Sequence, residues 1–176
     1  MNDFFKNNDE LKINQRNLPH WELYGSIYFV TFKTLERLEL SPEARRIVLN
    51  CCLFFDKSHL NNNPRYHTFA LVIMPDHVHW LLQPLPKINT EIEEKQQTQV
   101  EYWSLTSILH SIKSYSAKQI PQVMKHIGII WQDERYDRIV RNYNEFMNTW
   151  EYIRQNPIKA ELSDTPENYP FLWEEF

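Results

Sequence analysis

Apolar residues in this chain fall into runs of two kinds, and their order predicts the elements of the fold. Residues 26–33, Ser-Ile-Tyr-Phe-Val-Thr-Phe-Lys, form an aromatic and β-branched run that reads as a strand. Ser41-Pro42-Glu43 then opens a helix, with Ser as cap and Pro at the first helical position. Ile47, Val48, Cys51, Cys52 and Phe55 recur at helical spacing out to about Ser58. Asn61-Asn62-Asn63-Pro64 breaks the chain. Two apolar strands follow at 66–73 and 77–83, joined tightly by Met74-Pro75-Asp76.

A polar, proline-interrupted connector occupies 84–98. The next helix, over about 100–119, turns Trp103, Leu105, Ile108, Leu109 and Ile112 toward the core. After Pro121 come Ile129-Ile130-Trp131 and a fourth strand at 136–140, Tyr-Asp-Arg-Ile-Val. A last long helix spans about 144–156, and Pro157 helps to end it. The order β-α-β-β-α-β-α predicts an α+β fold. Its core is ferredoxin-like β-α-β-β-α-β with an antiparallel sheet, and one C-terminal helix is added. Residues 1–20 are expected as an N-terminal extension, 21–162 as the domain proper and 163–176 as a C-terminal tail.

Composition agrees with one folded domain. The chain has 176 residues, 42% of them hydrophobic, and six Trp, nine Tyr and ten Phe supply large groups for a core. No stretch approaches the roughly 18 apolar residues of a membrane span, and the polar N-terminus does not read as a signal peptide. Cys51 and Cys52 are adjacent in a helical pattern, so packing is their expected role, in keeping with a cytoplasmic protein. A net charge of −4 argues against binding duplex DNA through the whole surface. The charge is uneven, however. Lys113, Lys118, Lys125, Arg135, Arg138 and Arg141 gather in the middle, where a local basic path could bind nucleic acid in a salt-sensitive way.

Two patterns carry candidate chemistry. In His77-Val78-His79 strand alternation puts both imidazoles on one face, where they can hold one divalent ion or simply be two partly buried strand residues. On the last helix Tyr152 and Asn156 are four apart and share a face. Their ordinary roles there would be packing on the sheet and capping the helix end.

Several motifs together give a more specific indication: Pro19-His20-Trp21 followed by Tyr28-Phe-Val-Thr-Phe32, then Met74-Pro-Asp-His-Val-His79, then Trp131-Gln132 with Tyr136-Asp-Arg138, and last Tyr152-Ile-x-x-Asn-Pro-x-x-Ala160. In this order, and over nearly the whole chain, the sequence resembles the IS200/IS605-like tyrosine transposases, most closely their REP-associated branch. Those enzymes are similar to the histidine-hydrophobic-histidine endonucleases of replication and conjugation. The resemblance implies that His77, His79 and Asn156 are metal ligands and Tyr152 the nucleophile. It gives the Met74-Pro75-Asp76 turn a shape role. Lys113, Arg135 and Arg138 are candidate phosphate contacts by charge and region.

What the resemblance implies is a transposase that cleaves and rejoins single-stranded DNA, beside a hairpin or REP-like site, through a 5′-phosphotyrosine with release of a 3′-OH. Mixed N/O ligation suits Mg²⁺ or Mn²⁺, although two imidazoles would also accept Zn²⁺. The absence of a second Tyr one turn from Tyr152 suggests a single-tyrosine enzyme, and both a monomer and a homodimer are open. Two other readings stay in play: a domesticated hairpin-binding protein with little activity, and a metal-dependent phosphodiesterase that uses water. The Tyr152 hydroxyl is expected at the His77/His79 face.

Overall fold

A computed structural model of the chain describes residues 11–15, 19–23, 25–58, 63–87 and 100–175. Residues 1–10 and 16–18 of the expected extension, and 88–98 of the expected connector, lie outside the described residues, as do the side chains of the Pro19-His20-Trp21 motif. β1 (Leu11–Gln15) and β2 (Pro19–Leu23) pair antiparallel in a small sheet of their own.

The main sheet begins with the aromatic run, β3 (Ile27–Thr34). Ser41 then caps α1 (Pro42–Leu53) as its sequence predicts, its side chain accepting from the Ala44 N–H at 3.3 Å. β4 (Tyr66–Ile73) and β5 (His77–Pro84) follow the two apolar runs. α2 (Leu105–Met124) starts later than its pattern suggests. Ser104 caps it by accepting from the Ser107 N–H at 3.1 Å, while Trp103 stays extended and donates its N–H to the Leu85 carbonyl at 3.0 Å.

α2 also runs through Pro121, and closes only where Lys125 adopts a left-handed conformation (φ 52°) and donates to the Pro121 carbonyl at 3.0 Å. β6 (Trp131–Val140) is a single strand that takes in Trp131 as well as the expected 136–140. Asn142 caps α3 (Tyr143–Lys159), accepting from the Glu145 N–H at 2.9 Å. α3 passes through Pro157 rather than ending there. A proline there removes one intrahelical N–H donor, and the Pro157 ring is buried.

The five strands order as β6-β3-β5-β4-β7, all antiparallel, with β7 (Leu172–Glu174) on the outer edge of β4. The first four strands in this order, with α1 and α2, make the expected ferredoxin-like α+β core. The segment expected as a C-terminal tail returns to the sheet instead. Tyr169 and Phe171 are 4% and 6% exposed, and the Tyr169 hydroxyl donates to the Ile73 carbonyl at 2.8 Å.

Alternation along the strands gives the sheet two different faces. Phe32, Trp80 and Trp131 belong to the face covered by α1 and α2, and there the Trp131 indole donates to Ser116 Oγ at 3.0 Å. Phe29, Thr31, His77 and His79 point to the other face, where α3 lies against β4 and β5. A helix carrying Tyr152 is thereby stacked over a strand carrying the two histidines.

Candidate active site

His77 and His79 open β5, directly after the 74–76 turn. That turn is fixed from three directions. The Met74 N–H donates to the His77 carbonyl at 2.8 Å, the Thr34 N–H to the Asp76 carbonyl at 2.9 Å, and the Leu40 N–H to the Pro75 carbonyl at 2.7 Å. The strand beyond it sets the two imidazoles on one face with ring centroids 4.7 Å apart and planes at 70°.

Each imidazole is oriented through its Nδ1. His79 Nδ1 lies 2.7 Å from Thr31 Oγ1 on β3, its register partner, and His77 Nδ1 lies 2.6 Å from Asp76 Oδ1. His79 is 6% exposed and stacks on Phe29 at 5.5 Å. Burial, then the charges of His77 and Lys33, push its pKa down to about 3, with Asp76 opposing in part. The ring is therefore neutral near pH 7 and carries one N–H. Thr31 engages Nδ1, and Nε2 faces the site.

Tyr152 meets that nitrogen. Its hydroxyl is 3.3 Å from His79 Nε2, and its ring lies 5.1 Å from the His79 ring and 5.9 Å edge-on from Phe29. The helix that delivers it is anchored on both sides of the tyrosine. Arg138 of β6 bonds Glu145, and also Thr149 Oγ1 at 2.8 Å; Ile153 is fully buried; Arg154 bonds Glu167 and approaches Glu174 at 3.5 Å. Tyr152 itself stays 42% exposed.

Asn156 sits half-buried one turn beyond Tyr152 on the same helix face, and no other described residue engages its side-chain amide. The three cationic candidates are placed differently from the histidines and the tyrosine. Lys113 donates to the carbonyls of Gln132 and Asp133 at 2.8 and 3.2 Å, which ties α2 to β6. Arg135 pairs with Asp137 at 3.0 Å and donates to Thr106 Oγ1 at 3.2 Å. Arg138 is the α3 anchor, with its guanidinium 5.3 Å from the Phe29 ring centroid. All three are bonded within the fold.

Sequence reading missed two residues of this site. Thr31 is one, because its partner depends on the β3/β5 register. Asp76 is the other: it was given a role in turn shape alone, although it stands next to His77. The donor set also decides what the site could hold. Among the described residues no group of three or more His, Cys, Asp or Glu side chains gathers. The donors on offer are two imidazoles whose Nδ1 atoms are engaged, with the Tyr152 hydroxyl beside His79 Nε2 and Asn156 one turn along the same helix; nitrogen and oxygen donors of this kind would suit a weakly held divalent ion.

No protein family profile matches the chain. It is 24% identical over 115 residues to a Haemophilus influenzae protein named "Putative REP-associated tyrosine transposase", a match covering 60% of this chain and 57% of that one. A second Haemophilus influenzae protein, uncharacterized, is 25% identical over 101 residues, 54% of this chain and 56% of the relative. The chain thus spans little more than half the length of the curated relatives it matches. Among solved structures, that of a REP-associated tyrosine transposase bound to a REP hairpin aligns with a TM-score of 0.62, covering 90% of this chain and 82% of that one. At 18% identity this is a likeness of fold. The chain is thus similar in sequence to one REP-associated tyrosine transposase and shares its fold with another.

Proposed function

We propose that this protein cleaves and rejoins single-stranded DNA through a covalent Tyr152–DNA intermediate, with a divalent ion held by His77, His79 and Asn156. The observation that carries the reading is the 3.3 Å approach of the Tyr152 hydroxyl to His79 Nε2, a nitrogen left available because Thr31 takes up Nδ1. A tyrosine that merely packed on the sheet would have no reason to aim its hydroxyl at an oriented, neutral imidazole while remaining open to solvent.

Tyr152 Oη attacks phosphorus and the P–O3′ bond breaks. The phenol loses its proton to water, the leaving oxygen takes one up as a free 3′-OH, and the 5′-phosphate remains on Tyr152. Attack by a 3′-OH on that phosphotyrosine restores the phenol and remakes a phosphodiester, so rejoining needs no nucleotide cofactor. Mg²⁺ or Mn²⁺, when bound, would polarise the phosphoryl group and offset the charge developing on its oxygens. An ordinary phenol has a pKa of about 10, so this electrostatic help matters most for the attacking oxygen.

The relative of like fold is bound to a REP hairpin, and single-stranded DNA beside a hairpin is the substrate class we extend to this chain. Tyr152 and His79 meet within a single chain, which supports a site completed in cis and hence a competent monomer. The test is incubation with hairpin-bearing single-stranded DNA and Mn²⁺, followed by a denaturing gel. A protein–DNA adduct is expected, and it should vanish in Tyr152→Phe and on chelation of the metal. An adduct undiminished in Tyr152→Phe overturns the assignment.

A further inference from the structure

Three cations suggested by charge and region, Lys113, Arg135 and Arg138, are engaged inside the fold. Two others flank the candidate site and have no carboxylate partner among the described residues. Lys33 is exposed on β3, points to the same face as Thr31, and is the register partner of His77. Lys159 is exposed at the end of α3, and its Nζ reaches back to 5.7 Å from the Tyr152 ring centroid. Tyr152, Asn156 and Lys159 follow at i, i+4 and i+7, one stripe of the helix. Next to them Tyr136 of β6 is 54% exposed, pairs in register with Thr31 and touches Phe29 edge-on at 6.5 Å.

We propose that Lys33 and Lys159 clamp the backbone phosphates on either side of the scissile bond, and that Tyr136 stacks a neighbouring base. The proposal rests on the DNA-cleaving reading above and adds the groups that hold the strand. The physical argument is one of availability and reach. A guanidinium already paired within the fold must break that pairing to take a phosphate, whereas a solvated lysine only releases counterions. Tyr136 lies two strand spacings from His79, roughly 10 Å, close enough for a base adjoining the scissile phosphate. An exposed aromatic ring stacks any base, so it suits a strand held without sequence readout. Lys159 also favours the negative end of α3, which is why its test must read phosphate contact and not stability.

The experiment uses the full chain in the Tyr152→Phe background, which cannot form the adduct, with chelator and a fluorescent single-stranded oligonucleotide. Affinity is measured from about 50 to 200 mM salt. Lys33→Gln and Lys159→Gln should each lower the slope of log K against log salt by about 0.7, the double variant by about 1.4. Lys33→Arg and Lys159→Arg should keep it. Tyr136→Ala should weaken binding about tenfold with the slope unchanged. Lys57→Gln, exposed in the turn between α1 and β4, is the control and should change nothing. Unchanged slopes in the double variant, with binding intact in the parent, overturn the clamp alone. If the parent binds no single-stranded DNA, the clamp falls together with the proposed function.

Discussion

The Tyr152 hydroxyl lies 3.3 Å from His79 Nε2, across 73 residues of sequence and between a helix and the sheet beneath it. A third residue orients that imidazole, since Thr31 Oγ1 lies 2.7 Å from its Nδ1. Thr31→Val keeps the shape and removes the hydroxyl, leaving the buried Nδ1 unpaired. Denaturant unfolding should show a loss of about 1–3 kcal/mol. The Mn²⁺ concentration needed for adduct formation should rise about 10- to 100-fold. A variant with wild-type metal dependence would remove Thr31 from the account.

Asp76 makes a similar prediction for the other histidine. Its carboxylate holds His77 Nδ1 at 2.6 Å, while its carbonyl, which a side-chain change leaves in place, secures the turn to Thr34. Asp76→Asn should therefore fold normally and lose about 10- to 100-fold in metal affinity, measured by titration calorimetry. Equal losses of stability and affinity would point to a damaged turn.

The C-terminal segment should matter to the fold in a way that a tail would not. Phe171 is buried and receives the Arg45 and Arg46 guanidinium groups at 4.5 and 5.1 Å from its ring centroid. Phe171→Ala should cost about 3–5 kcal/mol in chemical denaturation. Because Glu167 and Glu174 also hold Arg154 on α3, the surviving folded protein should form less adduct. A change below about 1 kcal/mol would mean that the segment adheres loosely.

Lys113 gives a pH signature that separates a structural cation from a DNA contact. Burial and the neighbouring Arg135 bring its pKa down to about 8 from 10.5, with Asp133 and Glu134 opposing. Over that window the unfolded chain binds the proton more tightly than the folded one, so Lys113 makes stability rise between about pH 8 and 10.5. Below pH 8 its penalty is constant. Lys113→Met should flatten the rise in unfolding free energy across the window relative to wild type. An identical pH profile would show that the ammonium is more solvated than its two carbonyl contacts imply.

Much of this molecule was legible in its sequence because local patterns decided it. The runs at 27–34, 66–73 and 77–84 are rich in aromatic and aliphatic residues, and Ser41 followed by Pro42 leaves little freedom over where α1 begins. Strand alternation alone placed His77 and His79 on one face, and helical spacing put Tyr152 and Asn156 on another. What stayed hidden was pairing. Thr31 meets His79 only because β3 and β5 share one register, and no local signal records it. Polar residues around Tyr169 and Phe171 masked a segment whose few large rings dock on the sheet edge. Pro121 and Pro157 read as helix ends, but each helix runs on for two or three residues beyond its proline. The charge of Arg135 and Arg138 was visible, and the partners that occupy it were not.

The central claim, that Tyr152 becomes covalently bound to the 5′-phosphate at the cut, is tested most directly by mapping the adduct. Protein is incubated with hairpin-bearing single-stranded DNA and Mn²⁺, the DNA is trimmed by nuclease, and tryptic peptides are analysed by mass spectrometry. The account predicts a nucleotide remnant on the peptide containing Tyr152, linked through its 5′-phosphate, with the released strand ending in a 3′-OH that a polymerase can extend. Cut DNA with every tyrosine unmodified, as a water-using phosphodiesterase would leave, or a remnant on any other residue, would contradict it.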